Sequence, residues 1–116
     1  MNISRSTKAN REIQEKCHGG SGSIVFREIF ANKDFKSQLE FLHETYIKPR
    51  STIGYHKHEG NEEIYYIVDG EGLMVVDDEE KIVGPGDAVI TQSGSSHSLK
   101  NMGSKDLKII VFEAKY

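Results

Sequence analysis

The sequence contains a single cysteine, Cys17, no tryptophan and only two prolines. One cysteine excludes an intrachain disulfide and agrees with a reducing compartment. No apolar run reaches the roughly 18 residues that a transmembrane helix requires. Residues 1–14 are polar and lack the apolar core of a signal peptide. We therefore expect a cytoplasmic protein that does not span a membrane.

An excess of basic residues is also absent. The chain has 15 Lys and Arg against 18 Asp and Glu, which gives a net charge of −3 and a pI near 5.9. Nucleic-acid-binding surfaces are usually basic, so we expect no nucleic-acid partner. The basic residues are scattered and form no polybasic run that would bind an anionic membrane. A length of 116 residues indicates one domain.

The chain divides into a polar lead-in over residues 1–22 and a single domain over residues 23–116. The lead-in is expected to be irregular, or to form one or two helical turns over Asn10 to Lys16. Four small residues, Gly19 to Gly22, then interrupt any regular structure. This division rests on composition, because the β-rich pattern begins only at Ser23.

Short runs rich in β-branched and aromatic residues follow, with glycine- and proline-containing turns between them. The acidic tetrad Asp77 to Glu80 is predicted to form a hairpin tip. Many short strands of this spacing predict an all-β, antiparallel sandwich or barrel. The predicted strands cover residues 24–30, 39–48, 62–69, 73–76, 81–83, 88–91, 97–102 and 107–112.

Four residues in two separate stretches form a plausible metal-ligand set. His56 and His58 are two apart, so on a strand both would point to the same face. Glu63 follows after four intervening residues and would add an anionic oxygen, and His97 would close the site from another hairpin. Three imidazoles and one carboxylate suit a divalent metal in an octahedral site with two open positions. An isolated His-x-His pair is common, so the prediction of a metal site depends on the occurrence of all four residues together.

The spacing in these stretches resembles the two signature motifs of the cupin superfamily, in its small single-domain members. The first stretch runs from His56-x-His58 through Glu63 to Gly70, and the second from Gly86 through His97 to Asn101. The resemblance covers roughly residues 45 to 112. It implies a jelly-roll β-barrel, usually dimeric. It also implies that the metal ligands are His56, His58, Glu63 and His97.

Two positions depart from the family's motifs. Arg50 stands where the first motif has glycine, and Gln92 stands where the second has proline. Arg50 either lies in solvent or alters the loop that enters the site. Gln92 either fills a turn or places an amide at the pocket mouth. Neither is a ligand position, so the expected metal site is unaffected.

Several further residues receive structural expectations. Gly70 and Gly72, and likewise Gly86 and Gly94, are expected to adopt positive φ in turns, and Asn101 is expected to form a turn rather than to contact substrate. Residues expected to pack in the core or line the barrel are Phe26, Met74, Val76, Leu99 and Phe112.

Candidates for chemistry beside the metal are few. Tyr65 shares the face of Glu63 and could donate a hydrogen bond to a ligand, or be plain pocket wall. His43 could face inward with Phe41 and Thr45, or be structural. These two are the candidate catalytic residues. A second metal site from Cys17 and His18 is not expected.

Two functions remain open at this point. The first is a metal-dependent enzyme acting on a small polar molecule, such as a carboxylate, sugar or keto compound, by isomerase, decarboxylase or lyase, or dioxygenase chemistry. The second is a non-catalytic module that binds or senses such a molecule through its metal. The ligand types suit manganese, iron, zinc, nickel or cobalt. A homodimer is expected, with the run Ile24 to Phe30 available for strand exchange or edge pairing.

Overall fold

A computed structural model describes residues 1–116, apart from the side chain of Lys8. Ten strands account for most of the chain. In order they are β1 (Glu12–Glu15), β2 (Ser23–Ala31), β3 (Leu39–Ile47), β4 (Thr52–Lys57), β5 (Asn61–Asp69), β6 (Gly72–Val76), β7 (Glu79–Val83), β8 (Ala88–Thr91), β9 (Ser96–Asn101) and β10 (Leu107–Lys115).

The strands form two antiparallel sheets. The larger has the order β1-β2-β3-β10-β5-β8, and the smaller has the order β4-β9-β6-β7. Strands that are distant in sequence lie side by side, as when β3 pairs with β10 and β4 pairs with β9. The predicted all-β barrel of jelly-roll type is therefore confirmed.

The core lies between the two sheets and follows the period-two pattern of the strands. Along β10, Leu107, Ile109 and Val111 are buried, whereas the alternate residues are only partly covered. Leu99 of β9 faces them from the smaller sheet and is fully buried. Phe112 departs from its expected place: it lies on the opposite face of β10 and is half-buried.

The N-terminal segment differs from the predicted helical turns. Glu12–Glu15 is a strand that pairs with β2, from Glu12 opposite Phe26 to Glu15 opposite Ser23. All four side chains are exposed, so no alternation of apolar and polar residues marks the strand in the sequence. The backbone pairing with β2 determines its conformation.

In the part of the chain that the structure describes, helical structure is limited to three-residue 3₁₀ turns at Lys8–Asn10, Cys17–Gly19 and Asn32–Asp34. Among the residues that the structure describes, no helix has the length and hydropathy needed to cross a membrane.

Pairing on both sides also changes the expectation for the run Ile24 to Phe30. This run lies in β2, which is bonded to β1 on one side and to β3 on the other. It therefore offers no free edge to a partner barrel, and the expected edge pairing through this strand is wrong.

The tip of the hairpin between β6 and β7 is shorter than the predicted tip, which covered Asp77 to Glu80. Only Asp77 and Asp78 form the tip, because Glu79 and Glu80 already pair with β6. Asp77 has a φ of 53°, and its Oδ1 accepts a hydrogen bond of 3.0 Å from the Ser96 backbone N–H. Asparagine and aspartate tolerate this left-handed conformation better than most residues.

Gly70 and Gly86 have the expected positive φ, at 93° and 90°, and so does Gly94. Gly72 does not, and that expectation is wrong. Gly72 lies within β6, where a Cβ would come within 2.8 Å of the side chains of Leu99 and Leu107. Lack of space between the sheets, rather than a turn, requires glycine there.

Gly70 and Gly86 provide a matched pair for testing the cost of close packing. Both have a left-handed φ, but a Cβ at Gly70 would lie 2.9 Å from Asp106 O, whereas nothing lies within 4 Å of one at Gly86. We expect Gly86→Ala to lower the free energy of unfolding by about 1 kcal/mol. Gly70→Ala should cost about 1–3 kcal/mol more, because the backbone must move. Urea denaturation measures both, and equal losses would contradict the steric explanation.

Candidate metal centre

The four side chains that the motifs single out converge on one point between the sheets. One donor atom from each of His56, His58, Glu63 and His97 lies within 4.8 Å of the other three. His97 Nε2 lies 2.9 Å from His58 Nε2, 3.2 Å from His56 Nε2 and 3.1 Å from Glu63 Oε1. Glu63 Oε1 lies 3.2 Å from His58 Nε2. The structure thus brings together the whole predicted set.

Three of these residues come from the smaller sheet or from the loop that directly follows one of its strands. His56 lies on β4 and His97 on β9, and the two are direct partners across the ladder. His58 follows the last residue of β4. Its backbone N–H donates to Ser95 O, and its carbonyl accepts from the Gly94 N–H, at 3.0 and 2.7 Å. The loop before β9 therefore holds His58 beside His97.

Glu63 comes from the larger sheet and faces the histidines across the barrel. It lies on β5, opposite Thr91 of β8 on one side and Glu113 of β10 on the other. Its position depends on the register of three strands. The adjacent Glu62 is not part of the converging group, as the alternation of side chains along the strand predicted.

Each imidazole has its second nitrogen fixed by a hydrogen bond. His56 Nδ1 donates to Gly54 O at 2.7 Å, and His58 Nδ1 to Asn61 Oδ1 at 2.8 Å. His97 Nδ1 lies 2.8 Å from Thr91 Oγ1, which can accept a hydrogen bond from its N–H. With Nδ1 protonated in this way, the Nε2 lone pairs of the neutral rings all point at the same place.

Lone pairs this close repel one another unless a positive charge lies between them. The site therefore attracts either protons or a cation. The donor spacing fits a metal, because octahedral ligands at about 2.1 Å from an ion stand about 3.0 Å apart when adjacent. The four short pairs measure 2.9 to 3.2 Å. A divalent metal of the first transition row fits this set, with two of six positions left for a ligand.

The titration of these groups reflects the same crowding. Burial tends to raise the pKa of Glu63, but hydrogen bonds to His58 and His97 outweigh it and lower that pKa from 4.5 to about 2. The hydrogen bond to Glu63 raises the pKa of His58 above 6.5. Desolvation lowers the pKa of His56 to about 4. Glu63 thus remains ionised and favours a positive charge beside it.

A cavity of about 220 Å³ borders the donor group at Glu63, the one of the four donors that lines its wall. It lies between the larger sheet and the N-terminal turn, and its wall is mixed in polarity. Residues of the wall include His18, His43, Thr45, Glu63, Tyr65 and Val111.

Both candidate catalytic residues line this cavity. Tyr65 is buried, its ring stacks on His97, and its hydroxyl lies 3.4 Å from His97 Nε2. Burial, followed by the charge of Glu63, raises the pKa of Tyr65 well above 10, so the phenol keeps its proton. His43 stacks on Phe41, and its Nε2 lies 2.8 Å from Glu28 Oε2. Their inward placement matches the expectation, and their chemical role remains a prediction.

The sequence alone does not reveal the contacts that orient the ligands. Asn61 is three residues from His58, and this short separation is the one signal in the sequence that could have indicated the contact. Thr91 and Glu113 lie on other strands, and only the register of the larger sheet brings them near. Glu113 Oε1 is 3.3 Å from His58 Nδ1, and burial followed by the charges of Glu63 and Glu40 raises its pKa to about 7.

The remaining motif positions are structural. The Asn101 amide donates to Ile47 O and Lys105 O at 2.9 and 2.8 Å and accepts from the Gly103 N–H, so its expected role in a turn is confirmed. Arg50 is exposed with a φ of 65°, the conformation that the glycine of the motif would supply. Gln92 is exposed, and its carbonyl accepts the Ser95 N–H in a turn.

Comparison with known proteins agrees with this geometry. The cupin domain model matches residues 43–113. The oxalate-binding protein of Thermotoga maritima is 32% identical over 108 residues, covering 93% of this chain and 89% of its own. An uncharacterized protein of Methanocaldococcus jannaschii is 37% identical over 89 residues, covering 77% and 70%.

A solved structure extends the likeness to the whole fold. The crystal structure of a predicted oxalate decarboxylase from Thermotoga maritima superimposes with a TM-score of 0.95 at 30% identity, and it covers 99% of this chain and 100% of that one. The family model, the relatives and the converging ligands all indicate the same family. The chain belongs to the cupin family.

Proposed function

We propose that this protein binds a small dicarboxylate of the size of oxalate through a divalent metal held by His56, His58, Glu63 and His97. The observation that carries the proposal is the convergence of these four donors, one of which, Glu63, lines a small cavity. The relative described as an oxalate-binding protein supports the ligand class.

The ligand class also follows from charge and size. When bound, the metal supplies a Lewis-acidic positive charge that two carboxylate oxygens could chelate through its open positions. The cavity, at about 220 Å³, is smaller than the roughly 300–1,000 Å³ of pockets for drug-sized ligands. A diacid of a few carbon atoms suits this space. The Tyr65 hydroxyl, which keeps its proton and belongs to the cavity wall, would donate a hydrogen bond to the ligand.

A second candidate is catalysis at the same site, and the contact between His43 and Glu28 favours it. The carboxylate of Glu28 holds the His43 ring at 2.8 Å on the cavity wall, an arrangement typical of a histidine that transfers protons. His43 would move a proton to or from a ligand whose charge the metal stabilises. Tyr65, with its high pKa, would serve as a hydrogen-bond donor and not as a base.

The proposal extends to the setting of the protein. We propose that the protein is cytoplasmic and forms a homodimer. The dimer is supported by the exposed side chains of Tyr66, Val68 and Ile90, which place apolar area on the outer face of β5 and β8. Contact between copies through this face would remove that area from water. Manganese, iron, zinc, nickel and cobalt all remain compatible with the donor set.

Metal content tests the ligand set directly. Freshly purified protein should contain about one first-row metal ion per chain by elemental analysis. His56→Ala and His97→Ala should each lose most of it, because each removes one of four donors. His43→Ala removes a histidine outside the group and should retain the metal. Full metal content in His97→Ala would contradict the assignment.

Metal affinity should depend on pH because protons compete for the same nitrogens. His58 has a raised pKa, so the competition begins above pH 6.5 and strengthens as the pH falls. We expect affinity for Mn²⁺ to fall about tenfold per pH unit for each imidazole that protonates. His56 also becomes protonated near pH 4, whereas Glu63 with a pKa of about 2 stays ionised. Constant affinity down to pH 4, measured by calorimetry, would exclude the histidines as ligands.

Binding and catalysis are separated by following the dicarboxylate itself. Mn²⁺-loaded protein should bind oxalate near one to one by calorimetry, and His97→Ala should not. If the protein only binds, the ¹³C NMR signal of oxalate should persist for hours. Formation of formate and carbon dioxide would support catalysis, and His43→Gln should then reduce turnover about a hundredfold while binding persists. Absence of oxalate binding in the metal-loaded protein would contradict the proposed ligand.

A further inference from the structure

One histidine outside the ligand set lies directly against the candidate metal centre. The ring of His18 stacks on the ring of His56, with centroids 3.6 Å apart and planes inclined by 10°. His18 also forms part of the cavity wall. It contributes no donor to the converging group. Its contact is with a ligand and not with the metal position.

His56 is the ligand that the barrel itself supports least. His58 and His97 are buried, with 7% and 1% of their surface exposed, and His56 is only half-buried. His97 has Tyr65 stacked on its ring, with centroids 4.8 Å apart. Outside the donor group, His56 has a hydrogen bond to Gly54 O, which fixes an edge of the ring. The flat contact with His18 supplies the support that burial gives the other two.

The turn that carries His18 has an unusual backbone. Lys16 and His18 both have a φ of 51°, a left-handed conformation that is unfavourable for residues other than glycine. Such strain persists only where the surroundings enforce it. Here the buried side chain of Cys17 anchors the turn, and the Lys16 N–H donates to Gly22 O at 3.0 Å.

The turn is also fitted to the strand that carries His56. Gly54, two residues before His56, lies so close to the His18 carbonyl that any Cβ at Gly54 would overlap it. Thr52 of the same strand donates its N–H to Ser21 O at 2.9 Å. The N-terminal turn and β4 therefore form one packed unit that sets the distance between the two rings.

We propose that His18 is a positioning residue that holds the ring of His56 in the orientation for metal binding. The role rests on the proposed metal-dependent function. It predicts that loss of the His18 ring loosens His56 without removing any of the four donors. Outer contacts of this kind typically contribute about 10- to 100-fold to metal affinity.

The test uses Co²⁺, whose visible absorption reports ligand geometry, on the full-length protein. His18→Gly removes the ring and relieves the left-handed backbone, so the fold should be retained. Lys16→Gly relieves the same strain two residues away without touching His56, and is the matched control. His18→Phe keeps a flat ring and should rescue the site.

We expect His18→Gly to bind Co²⁺ about tenfold more weakly than the parent and to show altered visible bands. Lys16→Gly and His18→Phe should match the parent in both readouts. A His18→Gly protein with parental affinity and spectrum would overturn the proposal, and so would an equal loss in Lys16→Gly.

Titration of the Co²⁺-loaded parent with oxalate separates the two proposals. If the parent binds Co²⁺ but not oxalate, the proposed ligand class fails, and the spectra of the variants still decide the role of His18. If the parent binds Co²⁺ and oxalate and the variants are unchanged, only the role of His18 fails. A parent that takes up no Co²⁺ overturns both.

Discussion

The electrostatic repulsion among four converging donors is the constraint on which the site depends. Neutral imidazoles at these distances direct lone pairs at one another, with the ionised Glu63 beside them. Water cannot screen the group well, because His58, Glu63 and His97 are buried. Such an arrangement persists only if the framework holds it or a cation neutralises it. The cross-strand pairing of His56 with His97, and the hydrogen bonds to each Nδ1, supply the framework.

The sequence predicted the fold where burial imposes a pattern. Strands such as β5 and β10 alternate between core and surface, and their composition revealed them. Glu12–Glu15 has no buried side chain, and its extended backbone is set by its partner β2. A contact that is distant in sequence leaves no local signal. Gly72 illustrates the same limit, because the two leucines that exclude a side chain there come from β9 and β10.

The residues of the site also differ in whether the sequence could predict them. The four donors were predictable because they lie in two short stretches of fixed spacing. Two of the groups that orient them come from other strands: Thr91 reaches His97 from β8, and Glu113 reaches His58 from β10. Their positions follow from strand register, which the sequence does not state. His18 was the hardest to predict, since its turn depends on a left-handed backbone outside any strand.

The four donors and much of the cavity wall come from different parts of the chain. All four donors lie within residues 43–113, the part that matches the cupin domain. Much of the cavity wall lies before residue 43, including Gln14, His18, Phe26 and Phe41. Glu63 belongs both to the donor group and to this wall, so a metal held by the four donors would border the cavity. A change in the N-terminal turn would therefore alter the size and polarity of the cavity while the four donors stay the same.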